Sequence, residues 1–118
     1  MKKVLIVEDE MIIALTLEQM IQNMGHSVIS KAASGKEAVE KTIQLKPDLI
    51  LMDIRLKGQM DGIEAIEKIQ MQLEMPVIYV TGNNDAVYQR RIKATRYIDF
   101  ITKPVSQNRL LKSLKKAF

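Results

Sequence analysis

Four short apolar runs in this chain end on residues that could do chemistry together. Glu8-Asp9 follows residues 4–7, Asp53 follows 49–52, Thr81 follows 77–80, and Lys103-Pro104 follows Phe100-Ile101. Carboxylates of this kind suit Mg2+, which takes one or two of them and completes its octahedron with waters and substrate oxygens. Crowded carboxylates repel one another, so a divalent cation would stabilise them. An aspartate oriented beside such an ion can attack phosphorus in line and form an acyl phosphate. A lysine can neutralise one phosphoryl oxygen while a hydroxyl hydrogen-bonds another. Taken singly each residue has a plainer reading, since Asp9 could cap a helix and Lys-Pro is a common turn. Their joint occurrence at four run ends is what points to a cation-and-phosphoryl site.

For these residues to meet, the runs must be neighbouring parallel strands. About four aliphatic residues bounded by polar ones read as a strand buried on both faces. The carboxyl ends of such strands are where open α/β sheets hold their sites. Helical stripes lie between the runs. Ile13, Leu17, Met20, Ile21 and Met24 mark the first, which Gly25 should stop. A shorter strand over 28–32 follows, and Ser34 with Glu37 predicts a capping box for a helix that Pro47 ends. Asp61 with Glu64 predicts a second cap, opening a helix lined by Ile66, Ile69 and Leu73, and Pro76 opens the fourth strand. Residues 84–94 are polar and weakly periodic, so their helix should be the least regular. Residues 98–101 read as a fifth strand, and Ser106 caps a last helix with Leu110, Leu111, Leu114, Ala117 and Phe118 on its apolar stripe. Five β–α units imply one α/β domain over 1–118, a parallel sheet covered by helices on both faces, with no effector domain expected in this chain.

Composition narrows the function. The 118 residues are 47% apolar and 27% charged, and none is cysteine, which removes disulfides and thiolate chemistry. No apolar run approaches the roughly 20 residues of a membrane span. Met1-Lys2-Lys3 resembles a signal start, but the apolar stretch ends at Glu8, so a cytoplasmic location is expected. The net charge of +4 comes from bases late in the chain: Arg90, Arg91, Lys93, Arg96, Arg109, Lys112, Lys115 and Lys116. Without aromatic interleaving or a nucleic-acid-binding motif, solvated helix faces are the preferred reading, an acidic protein partner the next and DNA the last. His26 follows the helix-stopping Gly25 and reads as a loop residue. The eight methionines read as core filler, and no nucleotide-binding glycine motif occurs.

Along its whole length the chain resembles the receiver domains of two-component response regulators. The matching segments are Val7-Glu8-Asp9-Glu10, residues 46–53 ending in Met52-Asp53, Met60-Asp61-Gly62, Pro76-Val77-Ile78 with Thr81-Gly82, and Lys103-Pro104. The resemblance implies a flavodoxin-like (βα)5 sandwich with strand order 2-1-3-4-5. It implies that Asp53 accepts a phosphoryl group from a sensor histidine kinase or a histidine phosphotransfer protein, aided by Lys103 and Thr81. Mg2+ would be held by Asp9, Asp53 and the backbone carbonyl of Arg55, with Glu8 assisting directly or through water. Thr81 and Phe100 would form a switch pair, Arg55 and Asn83 would tune the lifetime of the phosphoryl group, and the Lys103–Pro104 peptide would be cis. Such a protein is a signalling switch and no enzyme beyond its own phosphorylation and dephosphorylation.

The chain also departs from the family. Its loop from Asp53 to Gly62 is one residue longer than the commonest pattern, with Lys57 where proline is usual. Arg96-Tyr97 replaces a small Gly-Ala pair, and Phe100 replaces a tyrosine, so it would switch by burial alone. The expected output surface is the fourth helix, fifth strand and fifth helix, around Arg90, Arg91, Arg96, Tyr97 and Lys112, meeting an acidic partner, an output domain or a second copy. An aspartyl-nucleophile phosphatase would want a second acid two residues after the acceptor, where Arg55 stands. The alternative is a receiver-like interaction module that works without phosphate, although such modules usually lose an acid, the acceptor or the lysine.

Overall fold

The computed structural model describes residues 1–82 and 86–118. Among them strands and helices alternate: β1 (Lys3–Val7), α1 (Met11–Asn23), β2 (Ser27–Ala32), α2 (Gly35–Leu45), β3 (Leu49–Asp53), α3 (Gly62–Gln70), β4 (Val77–Thr81), α4 (Ala86–Lys93), β5 (Asp99–Thr102) and α5 (Gln107–Ala117). The strands pair in parallel in the order β2-β1-β3-β4-β5, the flavodoxin-like arrangement that the resemblance implied.

Alternation along each strand builds two cores. Val4, Ile6, Leu49, Leu51, Ile78 and Ile101 meet Ala14, Leu17 and Ile21 of α1 and Leu110 and Leu114 of α5. Leu5, Val7, Ile50, Met52, Val77 and Tyr79 meet Ala38 of α2, Ile63, Ile66 and Ile69 of α3, and Ile92 of α4. Both faces are covered, which is why the central strands carry unbroken apolar runs. β2 lies at the edge and is mostly half-buried.

The helix ends follow local chemistry. Gly25, at φ +86, takes the left-handed conformation that closes α1. The Ser34 hydroxyl accepts from the Glu37 N–H, and Glu37 in turn accepts from the Ala33 N–H. Asp61 and Glu64 form a complete capping box at the start of α3. Ser106 accepts from the Arg109 N–H and opens α5.

The expected fourth helix is present as α4, with Ile92 as its buried residue among those described; positions 84 and 85 of it lie outside the described residues. Other expectations are corrected. Met11 and Met71 are exposed at 75% and 84% and are not core filler: Met11 falls off the apolar stripe of α1, and Met71 lies just past the end of α3. Leu111 and Phe118 are also largely exposed. The Phe118 ring leans on His26, whose Nδ1 accepts from the Lys2 N–H in the turn after α1. Three of the bases expected on solvated faces are ion-paired: Arg91 with Asp61, and Arg109 and Lys116 with Asp99.

Candidate functional site

Parallel register brings the strand ends to one rim. Val7 lies opposite Met52, Asp53 opposite Val80 and Thr81 opposite Thr102. Glu8, Asp9 and Asp53 each place a carboxylate oxygen within 4.8 Å of the others. Lys103 Nζ stands 2.9 Å from Glu8 Oε1 and 3.5 Å from Asp53 Oδ1. Glu8 and Asp53 are each 4% exposed and Thr81 2%. The Lys103 N–H donates to the Thr81 carbonyl at 2.8 Å, and the Lys103–Pro104 peptide is cis.

The acids are held from behind. Glu8 Oε2 accepts from the Glu10 N–H at 3.1 Å, and Asp9 Oδ2 accepts from the Lys57 N–H at 3.2 Å. Glu10, without a side-chain cap bond, is the N-cap of α1, so capping does not account for Asp9. At Gly62 an added Cβ would collide with the Asp53 carbonyl oxygen, so only glycine lets α3 start this close to the end of β3.

Electrostatics sets the character of the cluster. Burial pushes the Asp53 carboxyl up to about 7, the charge of Glu8 adds to the shift, and Lys103 opposes it. For Lys103 burial acts to lower the pKa, but contact with Glu8 and the charge of Asp53 outweigh it and keep the ammonium charged. One cation facing three acids leaves a negative excess that a divalent ion would cancel. Hard carboxylate oxygens are the donors Mg2+ prefers, and a group of three can supply the one or two it takes directly and a further one through water, so these residues fit that ion.

The remaining expected residues lie around this centre. Arg55 sits just beyond β3 and is exposed, with its guanidinium 5.7 Å from the Tyr88 ring centroid. Phe100 is half-buried on β5, opposite Tyr79 of β4 and on the α4 side of the sheet. Asn83 lies outside the described residues.

The family model of the response regulator receiver domain matches residues 4–115. The chain belongs to that family. The receiver is 38% identical to the chemotaxis protein CheY of Thermotoga maritima, over 98% of this chain and 96% of that protein. It is 30% identical to the transcriptional regulatory protein PdtaR of Mycobacterium tuberculosis over 98% of this chain, but it spans only 56% of that protein's length. In structure it is similar to a chain of the CheX–CheY–BeF3–Mg2+ complex from Borrelia burgdorferi, with a TM-score of 0.92, 27% identity, and coverage of 99% of this chain and 89% of that one. Receiver domains are phosphorylation-based signalling switches and generally bind Mg2+ at an acidic pocket, and this receiver carries such a pocket at Glu8, Asp9 and Asp53. No helix among the described residues is long and apolar enough to cross a membrane.

Other polar contacts in the receiver have no counterpart in the sequence motifs. Asp99, at the start of β5, accepts from Arg109, Ser113 and Lys116 of α5 and from the Phe100 N–H. Arg109 also donates to the Phe100 carbonyl at 3.1 Å, so one cluster holds the backbone of Phe100 on both sides. Ser113, a buried serine beside Leu114 on the α5 stripe, is the one hint the sequence offers. Tyr79 is fully buried with its hydroxyl 2.9 Å from Thr95 Oγ1, and burial raises its pKa.

Proposed function

We propose that this receiver accepts a phosphoryl group on Asp53 from a histidine kinase or a histidine phosphotransfer protein. The supporting observation is a nearly buried carboxylate beside Glu8 at the strand ends, with Lys103 reaching both acids. An Asp53 oxygen bonds to phosphorus as the phosphorus–nitrogen bond to the donor imidazole breaks, and the electron pair stays with the nitrogen. Lys103 neutralises one phosphoryl oxygen, and the Thr81 hydroxyl hydrogen-bonds another. Glu8, Asp9, Asp53 and the backbone carbonyl of Arg55 would hold Mg2+, which when bound offsets charge on the acids and the phosphoryl group. Water later cleaves the acyl phosphate, at a rate that Arg55 and Asn83 tune.

Phosphorylation adds about −1.5 to −2 charges at the rim. Thr81 and Phe100 respond together, the phenyl ring by burial alone, and the change is read at the face of α4, β5 and α5. Arg90, Arg96 and Lys112 stand exposed there, a surface suited to an acidic protein, an output domain or a second copy. The Borrelia structure supports this reading by likeness, since it holds CheX, CheY, BeF3 and Mg2+ in one complex. Incubation with acetyl phosphate and Mg2+ should add the mass of one phosphate. An Asp53→Asn protein that gains the same mass, or a reaction indifferent to a chelator, would refute the assignment.

A further inference from the structure

The loop that follows Asp53 touches α4 at both of its ends. At its start the Arg55 guanidinium faces the Tyr88 ring, with 5.7 Å to the centroid. At its end Asp61 receives Arg91 through two hydrogen bonds of 2.8 and 3.0 Å. Tyr88 and Arg91 are three residues apart and share one face of α4. Asp61 is also the N-cap of α3, accepting from the Glu64 N–H at 2.9 Å. Its neighbour Gly62 donates to the Ile54 carbonyl at 2.8 Å and packs without room for a Cβ against the Asp53 carbonyl. Direct contacts therefore run from Arg91 through Asp61 and Gly62 to the backbone of Asp53 and Ile54. Ile92 is the buried residue of α4 among those described.

Resting on the reading of Asp53 as acceptor, we propose that Arg91 is a positioning residue for the acceptor loop, and that the Arg91–Asp61 and Arg55–Tyr88 contacts couple α4 to Asp53. A phosphoryl dianion on Asp53 competes with the Tyr88 ring for Arg55, because a full negative charge attracts a guanidinium more strongly than a ring face does. That frees one end of α4, while the bidentate pair at the other end moves with the start of α3. The coupling is reciprocal, so a partner that favours one arrangement of α4 changes the free energy of phosphorylation by the same amount. Lysine at 91 would keep the charge but lose the fork that grips both Asp61 oxygens.

The test is amide exchange across residues 87–93 in wild type, Arg91→Ala, Arg91→Lys, Asp61→Asn and the Arg91→Ala/Asp61→Asn double variant, before and after acetyl phosphate with Mg2+. Asparagine is a good N-cap, so Asp61→Asn removes the ion pair while keeping the start of α3. Before phosphorylation, Arg91→Ala and Asp61→Asn should each speed α4 exchange about fivefold, as a half-exposed pair implies. The double variant should be no faster than either, and Arg91→Lys should recover part of the protection. Phosphorylation should speed α4 exchange in wild type but change it by less than about twofold in an Arg55→Ala variant, which lacks the guanidinium that the phosphoryl group draws from Tyr88. Fully additive single variants, or wild-type α4 exchange in Arg91→Ala, overturn the proposal. A protein that gains phosphate mass yet shows additive variants refutes the coupling alone. One that shows the expected unphosphorylated cycle but gains no mass refutes the acceptor reading and leaves the contact between α4 and the loop standing.

Discussion

Asp53 and Asp99 are both buried carboxylates, and their surroundings drive them in opposite directions. Asp53 shares its site with Glu8, and burial with that neighbouring charge raises it to about 7. At Asp99 burial also acts to raise the pKa, but Arg109, Ser113, Lys116 and the Phe100 N–H outweigh it and hold the carboxyl below the usual range. A folded pKa below the unfolded value means stability that is fully present above about pH 4 and lost as pH falls below it. Asp99→Asn should therefore flatten the fall of the melting temperature below about pH 4. An unchanged acid limb would show that the cluster does not set it. Asp9→Asn should weaken Mg2+ binding while leaving the fold as stable or slightly more so, because it relieves repulsion among the acids. Melts with and without Mg2+ check this, and an equal Mg2+ shift in both proteins would remove Asp9 from the ligand set. The rim acids were legible because each ends an apolar run. Asp99 was not, because its partners lie 10 to 17 residues further on, on another element.

α3 and α4 show what local sequence can and cannot specify about an element. α3 carries its own start signal, the Asp61–Glu64 capping box, and both ends of that signal are visible in the chain. α4 draws on distant partners, Asp61 for Arg91 and Arg55 for Tyr88, so its weak periodicity understated it. The close approach of α3 to β3 was equally hidden, since a glycine after an N-cap gives no sign of the carbonyl it must pass. Gly62→Ala should cost about 1–3 kcal/mol and slow phosphorylation, because the new methyl meets the Asp53 carbonyl. Denaturant unfolding checks the first effect. Wild-type stability in the variant would mean that α3 shifts freely.

Across the whole molecule, the apolar strands announced a sheet covered on both faces but not the face each residue takes. An unbroken run such as residues 4–7 has no polar side to orient it, so the split into two cores appears only in the folded chain. The strand order likewise came from family resemblance and not from periodicity. The charge distribution is a molecular property too. The net charge of +4 gathers on α4, β5 and α5, where part of it is spent in internal pairs and Arg90, Arg96 and Lys112 remain outward. Association of the phosphorylated receiver with an acidic partner should weaken steadily with added salt. Salt-independent binding would point to the apolar residues of that face instead.

The central claim is the identity of the phosphorylated residue, and chemical trapping tests it most directly. Borohydride reduces an aspartyl phosphate to homoserine, expelling phosphate and marking the acceptor permanently. After treatment with acetyl phosphate and Mg2+, peptide mapping should find homoserine at position 53 and nowhere else, and none when a chelator is present. A mark at Glu8, Asp9 or any other acid, or phosphate carried by His26 with position 53 unmarked, would contradict the account.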